Sequence, residues 1–403
     1  MKIAYVAIQF PVASEAFAAV EMRALRRQGA ELSVLSYRSA PPDAEEMLAD
    51  RGLADMPVDH GSAAATLKGL LLTILRPADT AFLFATIFRH CWRRPKQLVK
   101  ALLLVPRSLV LLRRIMALRP DVVHLYWGHY PSLLGLLVRR HLPGTLVSQF
   151  LGAYDLEEAF PLSGLLARQA DFLVTLAQAN VQAVAALGAD PASVRVSFHG
   201  VDVPEPLPRP VKTRGLMVVA ERLVPQKRTA DVLRVFAEVR RDLPEARLLV
   251  LGGGPEAARL EQAAAELGLK DSVRFAGHVP HSEVLDVLTR AEVALTMSQS
   301  PSERLPNFMK EAMLRRCICL STRTLGIEEL IDDGEDGLIV ELGDVEAGAK
   351  RLGALLRDAA AAERMAAGAQ SRIADDFNVD LLMAERLKQW AALREARQLR
   401  SQA

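Results

Sequence analysis

Two carboxylates separated by seven residues bracket a proline in Glu303-Arg304-Leu305-Pro306-Asn307-Phe308-Met309-Lys310-Glu311. Pro306 suits the first position of a helix, where its missing N–H is no loss and its φ is already set. The spacing therefore predicts a loop acid at Glu303, a helix running through about Leu314, and a second acid, Glu311, inside that helix. Free N–H groups at the helix start could take a phosphate, while the two carboxylates could take the hydroxyls of a phosphorylated, hydroxyl-rich ligand. The opposing reading is a solvated helix face with two common acids on it. What favours chemistry is the preceding run Glu292-Val293-Ala294-Leu295-Thr296-Met297, which reads as a buried parallel strand. The acidic loop would then lie at a strand's carboxyl end, where open α/β sheets bind ligands.

Cations and glycines recur at comparable places. Arg222 and Lys227 flank a short loop after the strand-like Leu216–Ala220, where two fixed cations could neutralise a diphosphate. Charge grows on a nucleoside diphosphate as it leaves, so preplaced cations stabilise the transition state more than the ground state. Arg247–Leu251 runs into Gly252-Gly253-Gly254-Pro255-Glu256, a tight turn that would let a ligand approach the backbone. Gly252, Gly254 and Ala257 also satisfy a loose dinucleotide fingerprint, but after the second strand of their unit instead of the first, and a nicotinamide-dependent oxidoreductase rests on that match alone. Near the N-terminus, Ser14-Glu15 precedes a helix and either caps it or presents N–H groups to a ligand.

These residues need strands and helices to position them. In the first half, apolar runs at 3–10, 31–37, 122–126, 145–150, 172–176 and 194–198 alternate with helical stretches such as 16–27, which implies parallel strands with crossover helices. Four prolines within Val203–Pro210 make a linker. The alternation then restarts, and the chain becomes alanine-rich and helical from Val345. The expected boundaries are 1–205, 206–375 and a C-terminal helix at 376–403 that ties back to the first domain. The length of 403 residues agrees with two cores.

The formal net charge of +2 does not argue for nucleic acid as a partner. Its distribution is uneven: between Thr80 and Pro120 there are nine Lys/Arg and no Asp or Glu, interleaved with Phe82, Phe84, Phe88, Trp92 and leucine runs. Pro106 and Arg107 interrupt the most apolar stretch, so it should not span a bilayer. Residues 80–120 fit either a segment lying on an anionic membrane surface or ordinary helices with solvated arginines. Cys91, Cys317 and Cys319 form no CxxC and read as reduced thiols of a cytoplasmic protein, and no cleavable signal peptide is expected ahead of the first strand.

Taken in order, these motifs resemble a retaining glycosyltransferase of the GT-B class, in the large family four, on its exopolysaccharide branch. Arg222 with Lys227 resembles the family's diphosphate clamp, and Gly252–Glu256, Arg274–Gly277, the Glu303/Glu311 element, Gly326–Leu330 and Gly334–Leu338 follow in its order. Phe10-Pro11 and Ser14–Phe17 resemble the exopolysaccharide branch. The resemblance implies two doubly wound Rossmann-like domains facing a cleft, the N-terminal one for the acceptor and the C-terminal one for the nucleotide sugar. It implies that Arg222, Lys227 and Glu303 are catalytic. Glu311 would hold ribose hydroxyls, the backbone of Leu305, Pro306 and Asn307 would line the sugar and phosphate site, and Gly253, Gly254 and Ser14 would also face the donor. His278 and Val279 would face the nucleobase, and Asp155 and His129 would lie on the acceptor side. No metal or other cofactor is expected; the partners are a nucleotide sugar, a saccharide or lipid-linked saccharide acceptor, and the inner membrane surface. The chain departs from the family at Leu151, where relatives have histidine, at Arg304 for glycine, and at Glu328 for proline. Leu151 and Arg304 keep open a non-catalytic sugar-nucleotide binder that assists another transferase, and His124, His129 and His199 are candidate substitutes for the missing histidine.

Overall fold

The structure is a computed structural model that describes residues 1–12, 15–300 and 303–402. It divides into two compact units, Met1–Gly200 with the segment from Val379 onward, and Val201–Asn378.

The first unit is built on a seven-stranded sheet, β1 (Lys2–Ala7), β2 (Glu31–Ser36), β3 (Val58–Asp59), β4 (Val122–Tyr126), β5 (Leu146–Leu151), β6 (Phe172–Thr175) and β7 (Val194–Val196). The strand order is β3-β2-β1-β4-β5-β6-β7 and every pairing is parallel. β4 and β5 are buried throughout, as expected for parallel strands covered on both faces. The helices are α1 (Ala16–Arg27), α2 (Ala44–Asp50), α3 (Ala63–Leu75), α4 (Pro77–Cys91), α5 (Pro95–Leu118), α6 (Pro131–His141), α7 (Ala153–Glu158), α8 (Pro161–Ala167) and α9 (Val181–Ala186). α3 crosses α5 at Gly69, where a Cβ would stand 2.6 Å from the Pro106 carbonyl oxygen, so only glycine permits this approach. Pro106 does not break α5, which runs on as one helix of 24 residues.

The second unit repeats the plan with β8 (Thr213–Ala220), β9 (Arg247–Leu251), β10 (Val273–Gly277), β11 (Ala291–Thr296), β12 (Ile318–Thr322) and β13 (Leu338–Val340). Their order is β10-β9-β8-β11-β12-β13, again all parallel. α10 (Thr229–Asp242), α11 (Ala257–Glu266), α12 (His281–Arg290), α13 (Asn307–Leu314), α14 (Val345–Arg357) and α15 (Ala359–Asp376) cover it. Both sheets reverse direction of growth beside their first strand, between β1 and β4 and between β8 and β11. Such reversals open a crevice at the strands' carboxyl ends.

The chain closes with α16 (Val379–Gln402), which packs on the first unit. Its Trp390 is fully buried, with its ring 5.5 Å from that of His124 and 6.0 Å from that of Phe172. Arg386 reaches the fully buried Glu21 of α1, Nη1 to Oε2 at 2.8 Å, and its other amino group donates to Ser197 Oγ at 2.8 Å. The remaining Glu21 oxygen bonds His199 Nδ1 at 2.8 Å. Burial alone would push the Glu21 carboxyl up, yet Arg386 and His199 hold it at about 2.

Candidate functional site

At the reversal of the second sheet, the loops after β8 and β11 are stitched together. Gln226 accepts through its carbonyl from the Gln299 N–H at 2.9 Å and from Ser298 Oγ at 3.3 Å. Arg228, with φ of +52°, bonds Asp231 behind it and Gln299 across from it, at 2.6 and 3.1 Å. This frame brings Lys227 and Glu303 together, Nζ to Oε1 at 2.5 Å, although 76 residues separate them. The other Glu303 oxygen is buried and has no hydrogen-bond partner among the described residues. A charged acceptor left in that state costs on the order of 1–3 kcal/mol, so a ligand hydroxyl donating to it would recover free energy.

Glu221, at the end of β8, completes the cluster and carries a signal that sequence reasoning missed. It accepts from Thr229 Oγ1 at 2.8 Å and Thr296 Oγ1 at 3.4 Å. Burial pushes its carboxyl up to about 7, against the pull of Lys227. An acid ending a central strand immediately before the cationic loop was the available clue.

The glycine turn after β9 presses on this same segment. A Cβ on Gly252 would lie 1.9 Å from the Glu221 carbonyl oxygen, and one on Gly254 would lie 2.4 Å from that of Leu223; both glycines have positive φ. Gly253, by contrast, has open space around the Cβ position, and its carbonyl accepts from the Leu223 N–H at 2.9 Å. Gly252 and Gly254 are thus fixed by close backbone approach.

Pro306 caps α13 instead of opening it: with ψ of 127° it is extended, and its carbonyl accepts from the Met309 and Lys310 N–H groups. Leu305 is buried, and Asn307 accepts from the fully buried Lys310 through Oδ1 at 3.0 Å. Glu311 sits one turn into α13 and bonds His281 Nε2, the first residue of α12, at 2.8 Å. His278 and Val279 lie on the loop between β10 and α12, so the histidine paired with Glu311 is three residues beyond the one singled out in the sequence. Arg222 is exposed and joins no ion pair among the described residues, whereas Arg304 is buried.

The first unit places its candidates differently. Asp155 is fully buried and accepts from the N–H groups of Gly128, His129 and Gly152 at 3.0, 3.1 and 3.2 Å, joining the ends of β4 and β5. Burial raises its carboxyl to about 6 despite those bonds. His129 Nδ1 stands 3.3 Å from Asp155 Oδ1, and burial pushes this imidazole down to about 3. Leu151 is wholly inside, with its methyl close enough to Gly128 to forbid a Cβ there. His124 is equally buried, bonded to Ser148 Oγ at 2.8 Å, and His199 belongs to the Glu21 network. Ser14 lies outside the described residues; its neighbour Glu15 is the N-cap of α1, but its side chain makes no capping bond and accepts from Trp127 Nε1 at 3.0 Å, and burial raises it to about 7.

Residues 208–372, almost the whole second unit, match the sequence model of the family described as glycosyl transferases group 1. Over that span the second unit is similar to glycosyl transferases group 1. WcaL of Salmonella typhimurium, whose name assigns it provisionally to colanic acid biosynthesis as a glycosyltransferase, is 28% identical over 221 residues, 53% of this chain and 54% of that protein. N-acetyl-alpha-D-glucosaminyl L-malate synthase of Bacillus anthracis is 30% identical over 159 residues, 40% of each chain. The chain therefore spans about half or less of the length of these curated relatives. The crystal structure of Anabaena Alr3699/HepE in complex with UDP superposes with a TM-score of 0.72 at 14% identity, over 97% of this chain and 100% of that one. The two units thus have the GT-B fold. Among the described residues no group of three or more His, Cys, Asp or Glu could hold a metal ion.

Proposed function

We propose that the chain is a retaining, nucleotide-sugar-dependent glycosyltransferase that passes a hexose to a saccharide acceptor, lipid-linked, in surface polysaccharide biosynthesis. The observation that carries this reading is the Lys227–Glu303 pair with its orphaned carboxylate oxygen, at the sheet reversal of the unit similar to glycosyl transferases group 1. The diphosphate lies between Lys227 and Arg222, Glu303 accepts a donor-sugar hydroxyl, and Glu311 accepts from the ribose. The backbone at Leu305–Asn307, with Gly253 and Gly254, lines the donor, and His278 and Val279 face its base. The UDP bound to the Anabaena structure supports a nucleotide in such a fold.

In the transfer, the bond from the sugar C1 to the diphosphate oxygen breaks while C1 bonds the acceptor hydroxyl oxygen on the same face. The hydroxyl proton passes to the departing diphosphate, whose growing charge Lys227 and Arg222 neutralise. Buried Leu151 contributes no polar group to this step. His129 is the acceptor-side candidate of the first unit, and Asp155 holds its loop by accepting from its backbone N–H.

Peripheral attachment to the inner membrane face fits residues 80–120. Phe84, Phe88, Trp92 and Leu103 are exposed there, among Arg89, Arg93, Arg94, Lys96 and Lys100. Arg107 is not part of that surface: it is buried, and bonds Ser36 O at 2.6 Å and Asp59 Oδ1 at 3.0 Å. No single helix among the described residues is long and apolar enough to cross a membrane.

A thermal-shift screen of UDP-, GDP- and ADP-sugars, followed by nucleotide-release assays with membrane extracts as acceptor, tests the reading. Stabilisation by one donor class and transfer that Lys227→Ala lowers about 10²–10³-fold are expected. Donor binding without turnover on any acceptor would favour the non-catalytic binder, and stabilisation by NAD alone would overturn both. Liposome binding indifferent to neutralisation of Arg93, Arg94 and Lys96 would remove the membrane assignment.

A further inference from the structure

The first unit contains a cavity of about 690 Å³ whose walls come from the loops after β1, β2, β4 and β5 and from the start of α5. Those four strands are neighbours in the sheet, so the cavity occupies the carboxyl-end position where such sheets bind ligands. Its charge is lopsided. Arg38, Arg94, Lys96 and Lys100 line it, against a single carboxylate, Glu158. Arg94 holds the wall itself, donating to the carbonyls of Glu158 and Ala159 at 2.8 and 3.0 Å. Arg38, Lys96 and Lys100 join no ion pair among the described residues.

Folding alone does not account for this placement. α5 has no acid in its first turn, and Arg94, Lys96 and Lys100 crowd its N-terminal end. Cations there oppose the helix macrodipole, and Lys96 and Lys100, four residues apart, repel each other. An anion in the cavity relieves both conflicts. One polar atom on the cavity's lining residues, Gln97 Oε1, is buried without a hydrogen-bond partner among the described residues.

The opposite wall is aromatic. Phe160 stacks on His129 at 5.2 Å and meets Tyr130 edge-on at 5.7 Å, with Tyr154 at 6.0 Å. One face of α5 then runs from Lys96 and Lys100 to Leu103 and Leu104, all four at the cavity. Leu103 is 72% exposed, and on α3, which packs against α5 at Gly69, Leu67 and Ile74 are 71% and 75% exposed.

We infer that this cavity seats the acceptor as a lipid-linked saccharide, with its phosphate or diphosphate on Arg38, Lys96 and Lys100 and its apolar chain along the exposed face of α5 and α3. The inference rests on the glycosyltransferase reading for the word acceptor, but the binding itself is separable. Farnesyl diphosphate serves as the probe, titrated without vesicles into the full chain, with farnesol and inorganic pyrophosphate as arms that lack one half of it. Farnesyl diphosphate should bind at least tenfold more tightly than either. Lys96→Glu and Lys100→Glu should each weaken it at least tenfold while leaving the melting temperature unchanged or higher, because an acid suits a helix N-terminus. UDP or GDP binding should be the same in wild type and both variants. Equal affinity for farnesol and farnesyl diphosphate, equal affinity for pyrophosphate, or variants that bind like wild type would each overturn the inference. Farnesyl diphosphate binding in a chain that binds no nucleotide would instead leave the cavity's ligand in place and sink the glycosyltransferase reading.

Discussion

Two ion pairs between distant elements, Glu21–Arg386 in the first unit and Lys227–Glu303 in the second, have different fates. In the first unit Glu21 and Arg386 meet at 2.8 Å with their side chains 1% and 2% exposed, and both Glu21 oxygens are engaged. In the second, Lys227 and Glu303 meet at 2.5 Å with their side chains 20% and 14% exposed, and one carboxylate oxygen has no partner among the described residues. The first pair ties α1 to α16; the second lies at a sheet reversal. A buried pair whose acceptors are all occupied can only hold structure. One with an orphaned oxygen at the sheet reversal is prepared for something absent.

The largest expected effect breaks the first pair. Arg386→Ala leaves Glu21 buried without its main cation and should cost about 3–5 kcal/mol, read by chemical denaturation; a loss below 1 kcal/mol would make the two pairs alike. Breaking the second should do the reverse. Lys227→Ala should lower kcat about 10²–10³-fold while shifting stability by less than about 1 kcal/mol, since a half-open pair contributes little. A denaturation midpoint that falls as far as for Arg386→Ala would recast Lys227 as structural.

The pairs also differ in pH dependence. Glu21 is held at about 2, below its unfolded value, so its stabilisation is present above the ordinary carboxylate pKa and is lost as pH falls through 2. Glu221, beside Lys227, is pushed up to about 7. Its folded form binds the extra proton, so stability is highest below the unfolded pKa and declines as pH rises through 7. Glu15 in the first unit contributes a decline of the same sign. Glu221→Gln should therefore remove part of that decline, on the order of 2 kcal/mol, in melting curves between pH 4.5 and 8. An unchanged slope would mean that Glu221 stays ionised.

Much of this was legible in the sequence, because local patterns carry it. Periodicity marked α1 at its observed bounds, and apolar runs marked β4 and β9 at theirs. β3, two residues long, leaves no period to read, and β13 was visible only through resemblance. Glu303 and Lys227 could be singled out from strand-end position, but their contact could not, since it depends on the stitching at Gln226. Glu221 looked like part of a strand, and His281 like any helix start. Arg107 looked like surface charge because its partners, Ser36 and Asp59, are far away in sequence. Asp155 read as a cleft acid, whereas its three backbone bonds make it the clasp between two strand ends.

The orphaned oxygen of Glu303 decides whether this pair receives a donor sugar, and calorimetric titration reaches it directly. Once the donor is known, its nucleoside diphosphate and its nucleotide sugar are titrated into wild type and Glu303→Ala. The diphosphate should bind both proteins alike, while the sugar's added affinity, about tenfold or more for a hydrogen bond to a charged group, should vanish in the variant. A variant that keeps the full sugar increment would contradict the claim that this carboxylate receives the donor's hydroxyl.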